Sequence, residues 1–365
     1  MRTRSAFLLG ALLLIGGAAW AEPEQDAPDI RPYTDLRGHR ETVNLLAFSP
    51  DGAWLASVGS EGQIFLWDAK TNKLVKKLFP REKSVTEQSL RREVKRRIEA
   101  IAFSPDSKHL AEAAVETTGI SMLRLWDVES GAERILAQSV ENLRAIAFAP
   151  DGKTLAYNAR DAIVWQHKIV LMDPTDGKEL GTMTDANLAA TQLAFSPDGN
   201  TLVSAGGKRV HIWNVAERKP RHVIDAHEKT IQSIAFSPNG KWVVSGATDD
   251  KVKVWNVETG KMDLEIKADQ EAVNVVLFSP TGKTIVSGGK DRTIKLWKPK
   301  SGKKYARLWG HLDRVNCLAF NPIDQTLASG SGDSTIALWK ITEPDEIEKD
   351  EKGDKDDEDE WGEDK

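Results

Sequence analysis

Two observations predict an all-β fold, namely a seven-bladed β-propeller with four antiparallel strands in each blade. The first is a phenylalanine in a phrase similar to AFSPDG, which recurs along the 365-residue chain with two final intervals of 42 residues. The second is a tryptophan, or in one copy a methionine, that follows each phenylalanine by 18 to 24 residues. The pairs are Phe48 and Trp67, Phe103 and Trp126, Phe148 and Met172, Phe195 and Trp213, Phe236 and Trp255, Phe278 and Trp297, and Phe320 and Trp339. Seven copies of a unit of about 42 residues therefore cover most of the chain.

Each unit reads as four short strands. The first strand is apolar and ends at the phenylalanine, as in VNLLAF, and a turn such as SPDG follows with Pro and Gly at turn-favoured positions. The second strand resembles WVVSGA, the third KVKVWNV and the more polar fourth KKYARLWG. This order predicts propeller blades. An open solenoid is the alternative, and the absence of an atypical capping repeat at either end of the array disfavours it.

Several short motifs resemble those of the WD-repeat (WD40) family over roughly residues 32–342. They are Gly38-His39, Ala226-His227 and Gly310-His311, the SPDG turns, and Trp67-Asp68 and Trp126-Asp127. The chain departs from the pattern where Asn214, Asn256, Lys298 and Lys340 replace the final Asp and where Met172 replaces Trp. The resemblance implies a closed ring that acts as a non-catalytic scaffold for protein–protein interaction.

The resemblance also implies how the ring closes. The last unit supplies only three strands, ending near Ile341, and RPYTDLRGH at 31–39 parallels KYARLWGH at 304–311. We therefore expect an N-terminal strand to complete the seventh blade. A closed ring has no exposed sheet edge of the kind that promotes aggregation.

The first 21 residues read as a signal peptide. Arg2 and Arg4 precede an apolar run over 6–19, and Ala19-Trp20-Ala21 offers small residues at the two positions that a signal peptidase reads. A membrane anchor is the alternative, but the run is shorter than the roughly 20 residues that a spanning helix needs. We expect an exported protein, periplasmic or extracellular, with no transmembrane anchor after cleavage and with residues 22–31 as a linker.

The remaining composition limits the classes of partner. The segment 343–365 has fourteen acidic residues against four lysines, so we expect a disordered tail. Formal net charge is −5, which together with export argues against nucleic acid as a partner.

Cys317 is the only cysteine, so no internal disulfide can form, and its apolar surroundings predict a buried, inert thiol. The motifs of metal and nucleotide sites are absent, and we expect no cofactor and no metal.

A histidine, a serine and an aspartate recur at fixed positions and could suggest a hydrolase. A catalytic site is built once, whereas these residues appear in several repeats, so we expect a structural network of hydrogen bonds inside each blade. The family resemblance implies the same role. The network residues are His39, Ser57 and Trp67, with Glu61 as the acid; His227, Ser245, Asp249 and Trp255; and His311, Ser329, Asp333 and Trp339.

The irregular repeats are the candidates for function. Residues 76–99 form a long connection with nine positive and four negative charges, and repeats two and three carry four and five extra residues between their second and third strands. These additions fall at one end of the blades, over blades one to three. The predicted binding surface comprises Arg91, Arg92, Lys95, Arg96, Arg97, Glu99, Arg144, Arg160, Trp165 and His167. An exposed tryptophan with basic neighbours fits an anchor with electrostatic steering.

The sequence therefore predicts a monomeric scaffold that binds one or more proteins over blades one to three. Three alternatives stay open: the charged residues are solvated surface, the channel mouth recognises a small ligand or an anionic polymer, or the propeller carries an enzyme activity there.

Overall fold

The computed structural model describes residues 29–79, 96–116, 118–161, 163–185 and 190–344. Within these ranges the chain forms 29 strands in seven sheets, and each sheet is one blade of a ring. No helix in the described part is long and apolar enough to cross a membrane. The predicted signal peptide 1–21, the tail beyond Pro344, and Arg91, Arg92 and Lys95 lie outside the described residues.

The seven-bladed architecture is confirmed, with four antiparallel strands in each blade. Two N-terminal strands come first, β1 (Asp29–Ile30) and β2 (Thr34–Arg37). Blade one contains β3 (Val43–Phe48), β4 (Trp54–Gly59), β5 (Ile64–Asp68) and β6 (Lys73–Leu78). Blade two contains β7 (Arg97–Phe103), β8 (His109–Val115), β9 (Ser121–Asp127) and β10 (Glu133–Gln138). Blade three contains β11 (Ile146–Phe148), β12 (Leu155–Arg160), β13 (His167–Met172) and β14 (Glu179–Thr184).

The other four blades follow the same order. Blade four contains β15 (Gln192–Phe195), β16 (Thr201–Gly206), β17 (Arg209–Asn214) and β18 (Lys219–Asp225). Blade five contains β19 (Ile231–Phe236), β20 (Trp242–Ala247), β21 (Lys251–Asn256) and β22 (Met262–Lys267). Blade six contains β23 (Val273–Phe278), β24 (Ile285–Gly289), β25 (Ile294–Trp297) and β26 (Lys304–Leu308). Blade seven contains β27 (Val315–Phe320), β28 (Leu327–Ser331) and β29 (Thr335–Trp339).

Burial along each blade follows the strand sequences. The second strands are almost wholly buried because both of their faces pack against neighbouring blades, as in β16 and β20. The fourth strands alternate between exposed and half-buried positions, as in β6, and this pattern fits an outer edge that meets solvent. The turn after Phe48 has Gly52 at a φ of 70°, a left-handed conformation that favours glycine, and the Ser49 hydroxyl donates to Asp51 at 2.5 Å.

The predicted ring closure is confirmed. Strand β2 pairs antiparallel with β29, with Thr34 opposite Leu338 and Leu36 opposite Ile336. The buried Leu36 packs in one apolar cluster with Val43 of blade one, so the N-terminal strand also contacts the next blade. The same cluster contains the buried Cys317, and burial raises the pKa of this thiol, as expected for an inert side chain.

The last residues of the segment 22–31, which we expected to be a linker, include a strand. Strand β1 pairs parallel with β26, the outer strand of blade six, with Asp29 opposite Arg307 and Ile30 opposite Leu308. The guanidinium of Arg31 lies 3.4 Å from the ring centroid of Trp309. One N-terminal segment therefore joins the edges of blades six and seven.

Candidate functional site

The histidine, serine and aspartate of blade seven form a closed network inside the blade. Nε2 of His311 lies 2.7 Å from the Ser329 hydroxyl, and Nδ1 lies 3.0 Å from a carboxylate oxygen of Asp333. The indole N–H of Trp339 donates to the same hydroxyl at 2.8 Å. Ser329 has no exposed surface. Because its hydroxyl is buried and already has two partners, no substrate carbonyl can reach it, and these residues hold the fold together.

Blades one and five repeat this arrangement. In blade five, His227 contacts Ser245 at 2.7 Å and Asp249 at 3.0 Å, and Trp255 donates to Ser245 at 2.9 Å. In blade one, His39 contacts Ser57 at 2.7 Å and Trp67 donates to Ser57 at 2.8 Å. There Glu61 takes the place of the aspartate, 2.5 Å from the histidine. Three copies of one network agree with a structural role.

Ionisation within the networks follows burial and hydrogen bonding. Burial opposes the charged form of Asp333, but hydrogen bonds from His311, Thr335 and the Leu312 N–H outweigh it and lower the pKa of this carboxyl. Burial also lowers the pKa of His227, although Asp249 acts in the opposite direction. In blade five the fold therefore favours a neutral His227 imidazole beside the Asp249 carboxylate.

Blades four and six keep part of the network. Trp213 donates to Ser204 at 2.9 Å in blade four, and Trp297 donates to Ser287 at 2.9 Å in blade six. In blade six the Ser287 hydroxyl donates to Gln270 at 2.6 Å. A glutamine therefore takes the role that histidine has in the complete networks.

Blade two replaces the network with buried charges, and this arrangement corrects one predicted site residue. Glu112 occupies the position of the serine, accepts the indole N–H of Trp126 at 2.6 Å and pairs with both Arg96 and Arg124. Arg96 was expected on the binding surface, but its side chain is only 3 % exposed. It is buried because it neutralises Glu112, so it is not available to a partner.

A groove of about 360 Å³ lies between blades two and three, at the end where the irregular connections emerge. Arg97 and Arg144, both predicted binding residues, line it together with Ile120. Glu99 is ion-paired with Arg97, so this predicted carboxylate is already neutralised. Arg144 is exposed and donates to the side chain of Asn142 at 3.1 Å.

The other predicted residues lie on the hairpin between β12 and β13, beside this groove. The guanidinium of Arg160 lies 4.2 Å from the ring centroid of Trp165 and 3.2 Å from Glu141, which lines the groove. His167 lies 3.4 Å from Asn142, another lining residue. The structure thus brings Arg97, Glu99, Arg144, Arg160, Trp165 and His167 into one area.

Two apolar residues next to Trp165 were not predicted as site residues. Ile163 is 87 % exposed, Val164 67 % and Trp165 65 %. The Asp161 carboxylate holds this tip by accepting the backbone N–H groups of Ile163 and Val164 at 2.8 and 3.0 Å. We call residues 163–165 the apolar tip. The signal was present in the sequence, because the corresponding turns of regular repeats are polar, such as TDDK and KDRT.

The polar residues at the start of the first strands have a structural role in blades six and seven. Asn274 donates to the backbone carbonyl of Val315 at 2.9 Å, and Asn316 donates to that of Val43 at 3.0 Å. Each joins its blade to the next one. Both asparagines lie at an irregularity in strand register, where an extra residue is left unpaired. In the described part of the chain, no group of three or more His, Cys, Asp or Glu residues could hold a metal ion.

Comparison with known proteins finds the family described as WD domain, G-beta repeat, over residues 30–68, 177–214, 218–256, 261–298 and 302–340. The stretch 69–176, which contains the apolar tip and its groove, lies between the first two matched segments.

Three relatives show how far the likeness extends. Protein FIZZY-RELATED 1 of Arabidopsis thaliana is 25 % identical over 62 % of this chain and 46 % of its own length. The small ribosomal subunit protein RACK1 of Candida albicans is 34 % identical over 27 % of this chain and 26 % of its own. WD repeat-containing protein 1 of Xenopus tropicalis is 32 % identical over 29 % of this chain and 15 % of its own. The matched region therefore spans less than half the length of each relative.

Proposed function

Because the chain belongs to the WD40 repeat family, whose members bind other proteins, we propose that it is a non-catalytic scaffold with its partner site over blades two and three. The site consists of the apolar tip at 163–165 and the adjoining groove lined by Arg97 and Arg144. The basic connection that contains Arg91, Arg92 and Lys95 leads into the same region of the chain, directly before Arg97.

The observation that carries this proposal is the exposure of three consecutive large apolar side chains on a constrained turn. Solvent exposure of Ile163, Val164 and Trp165 is unfavourable in the free protein, and burial gains roughly 25 cal/mol for each Å² of apolar surface removed from water. The Asp161 hydrogen bonds fix the turn before binding, which reduces the entropy lost on association. Tryptophan and arginine are the residue types enriched at the energetic centres of interfaces.

The experiment is affinity capture with the chain from residue 22 onward, followed by measurement of the affinity of each captured protein after purification. The test variant is Ile163→Ser with Trp165→Ala. The control is Leu312→Ser, which removes another side chain that is 82 % exposed but lies in blade seven. We expect the double variant to weaken binding at least tenfold and the control to bind like the wild type.

A partner that binds the double variant and the wild type with equal affinity would refute the site. A second arm reverses the charges of Arg92 and Lys95, which precede the groove in sequence. If Arg92 and Lys95 steer the partner, the charge-reversed variant should associate more slowly, with little change in its dissociation rate. Thermal unfolding of every variant checks that the fold is kept.

A second candidate function is recognition of an anionic polymer or small anion at the same groove. Exposed Arg144, with no carboxylate within 4 Å among the described residues, favours it. The two functions differ in their response to salt, because binding to an anion weakens steeply with ionic strength whereas apolar binding at the tip does not. An enzyme activity at this groove has less support, because the Glu99 carboxylate is paired with Arg97 and is not free to act as an acid or a base.

We also propose that the protein is exported and acts as a monomer. The apolar run at 6–19 and the small residues at 19 and 21 support cleavage after Ala21. Cell fractionation and the intact mass of the purified protein test this, since export predicts a chain that begins at Glu22. An intact residue 1 in the mature protein would contradict it. Sedimentation of the purified chain determines whether it is a monomer.

A further inference from the structure

The bottom face of the ring carries the turns between first and second strands, and in blades one to four these turns contain an aspartate at the same position. Asp106 accepts the Ser104 hydroxyl at 2.5 Å in blade two, and Asp198 accepts the Ser196 hydroxyl at 2.5 Å in blade four. In blade six the aspartate is replaced by Thr281. The turn in this blade therefore lacks its own carboxylate.

A residue from beyond blade seven supplies the missing carboxylate. The Thr281 hydroxyl donates to Glu343, with both carboxylate oxygens at 2.6 Å, and the Thr281 and Ser279 hydroxyls lie 3.0 Å apart. Ile341 and Tyr305 pack against the same apolar cluster between blades six and seven. After β29 the chain thus crosses from blade seven to the bottom of blade six. It reaches Pro344 directly beneath that blade.

The bottom of blade six is also its most basic part. The turn between β25 and β26 reads KPKSGKK, with four lysines and no acidic residue, whereas the corresponding turns of blades one to five each include at least one Asp or Glu. Lys300, Lys303 and Lys304 are exposed, and none has a carboxylate within 4 Å among the residues that the structure describes. We call these three residues the lysine patch.

The sequence that follows Pro344 has the opposite charge. Residues 345–365 contain thirteen acidic side chains and four lysines. We propose that this acidic segment binds the lysine patch of its own molecule and covers it against other polyanions. A short connection from Glu343 holds the segment near the patch at an effective concentration in the millimolar range, so weak individual ion pairs suffice.

The other basic region of the chain is a less favourable target for the acidic segment. The connection at 76–99 emerges at the end of the blades that carries the apolar tip. Glu343 fixes the start of the acidic segment at the opposite end, where the Thr281 turn lies. The lysine patch, by contrast, lies on the same side of the ring as the start of the segment.

The experiment measures the rate at which a water-soluble reagent acetylates each lysine, by mass spectrometry, in the full chain and in a chain that ends at Pro344. We expect acetylation of Lys300, Lys303 and Lys304 to be at least threefold slower in the full chain at low salt. This protection should vanish near 1 M NaCl, where the screening length falls to about 3 Å. Lys208 and Lys229, exposed on the opposite face, are the controls and should react equally in both chains.

A second measurement adds the peptide 345–365 to the shortened chain. We expect the peptide to restore protection, and a peptide with every Asp and Glu replaced by Asn and Gln to have no effect. The variant Lys300→Gln with Lys303→Gln and Lys304→Gln should lose peptide binding and keep its melting temperature.

Equal acetylation rates in the full and shortened chains at low salt would overturn the proposal. Protection that increases with protein concentration would assign the segment to a second copy and overturn the intramolecular contact. Because the apolar tip is on the other face, partner binding by the shortened chain tests the proposed function separately.

Discussion

Trp126 donates its indole hydrogen to Glu112, 2.6 Å away, whereas the tryptophans of five other blades donate to a serine. Blade two therefore stabilises its tryptophan with a fully buried carboxylate and two arginines. Burial raises the pKa of Glu112, and Arg96 and Arg124 act against that rise. The pair of guanidinium groups is what allows a charged residue in this position.

Replacement of Glu112 with serine, the residue of the regular blades, should destabilise the protein. The change leaves Arg96 and Arg124 buried without their shared counter-ion, and removal of one partner from a buried ion pair costs about 3–5 kcal/mol. Urea unfolding of Glu112→Ser measures this cost. Addition of Arg96→Leu and Arg124→Val should recover part of it, and a triple variant no more stable than the single one would argue against the ionic explanation.

Replacement of Ser329 with alanine should also lower stability without affecting any activity. The change leaves the Trp339 N–H and a nitrogen of His311 buried without a partner, at about 1–3 kcal/mol each. Calorimetric unfolding of Ser329→Ala and Asp333→Ala measures the effect, with Ser334→Ala as a control at a neighbouring residue outside the network. Loss of a hydrolytic activity in Asp333→Ala at an unchanged melting temperature would favour the catalytic alternative.

The sequence predicted these networks and the ring because a period of 42 residues makes equivalent positions easy to align. The role of Arg96 was missed. Four extra residues between β8 and β9 place Glu112 fourteen residues before Trp126, whereas Ser329 is ten residues before Trp339. Counted from the preceding phenylalanine, however, Glu112 and Ser329 both stand nine residues further on, so the sequence does place the carboxylate at the serine position. What the sequence does not show is that Arg96 is buried against that carboxylate.

Acid should destabilise the protein in two steps. The pKa of His227 is lowered by burial, so unfolding takes up a proton as pH falls below about 6.5, and stability decreases there. The carboxyl pKa values of Asp249 and Asp333 are also lowered, so their contribution is present above about pH 4 and is lost as pH falls further.

Melting temperatures between pH 7.5 and 3 test both steps. His227→Gln introduces the residue type that serves blade six, and it should reduce the slope between pH 6.5 and 5 while leaving the decline below pH 4. A variant with the wild-type slope in the upper range would show that another group titrates there.

Removal of residues 29–37 should open the ring. The deletion takes away β1 and β2, together with the buried Leu36, and exposes the edge of β29. We expect a lower melting temperature and aggregation on heating, measured by light scattering. A chain that begins at residue 29 is the matched control and should behave like the chain that begins at residue 22. An unchanged melting temperature after the longer deletion would contradict closure by β2.

The candidate site was predicted less completely than the fold. Arg144, Arg160, Trp165 and His167 were found because the five-residue insertion of repeat three marks an irregular blade. Ile163 and Val164 were missed because apolar residues in a β-rich chain usually belong to the core, although their position in a turn that is polar in the regular repeats was a signal. The bounds of β12 and β13 place them outside the core. The place where the described chain ends, beneath blade six, depends on one contact, Thr281 with Glu343, that no repeat pattern includes.

The pairing of β2 with β29 also fixes the order in which the molecule can be completed. Thr34 meets Leu338 across roughly 300 residues of intervening chain, so the two cannot pair until ribosomal synthesis has passed the last blade. Contacts this distant in sequence are slow to form, and until then the free edge of an unfinished ring is open to other chains. A strand near the start of the chain can thus pair only after synthesis of the last blade, and until then the unfinished ring is a target for chaperones that bind exposed strand edges.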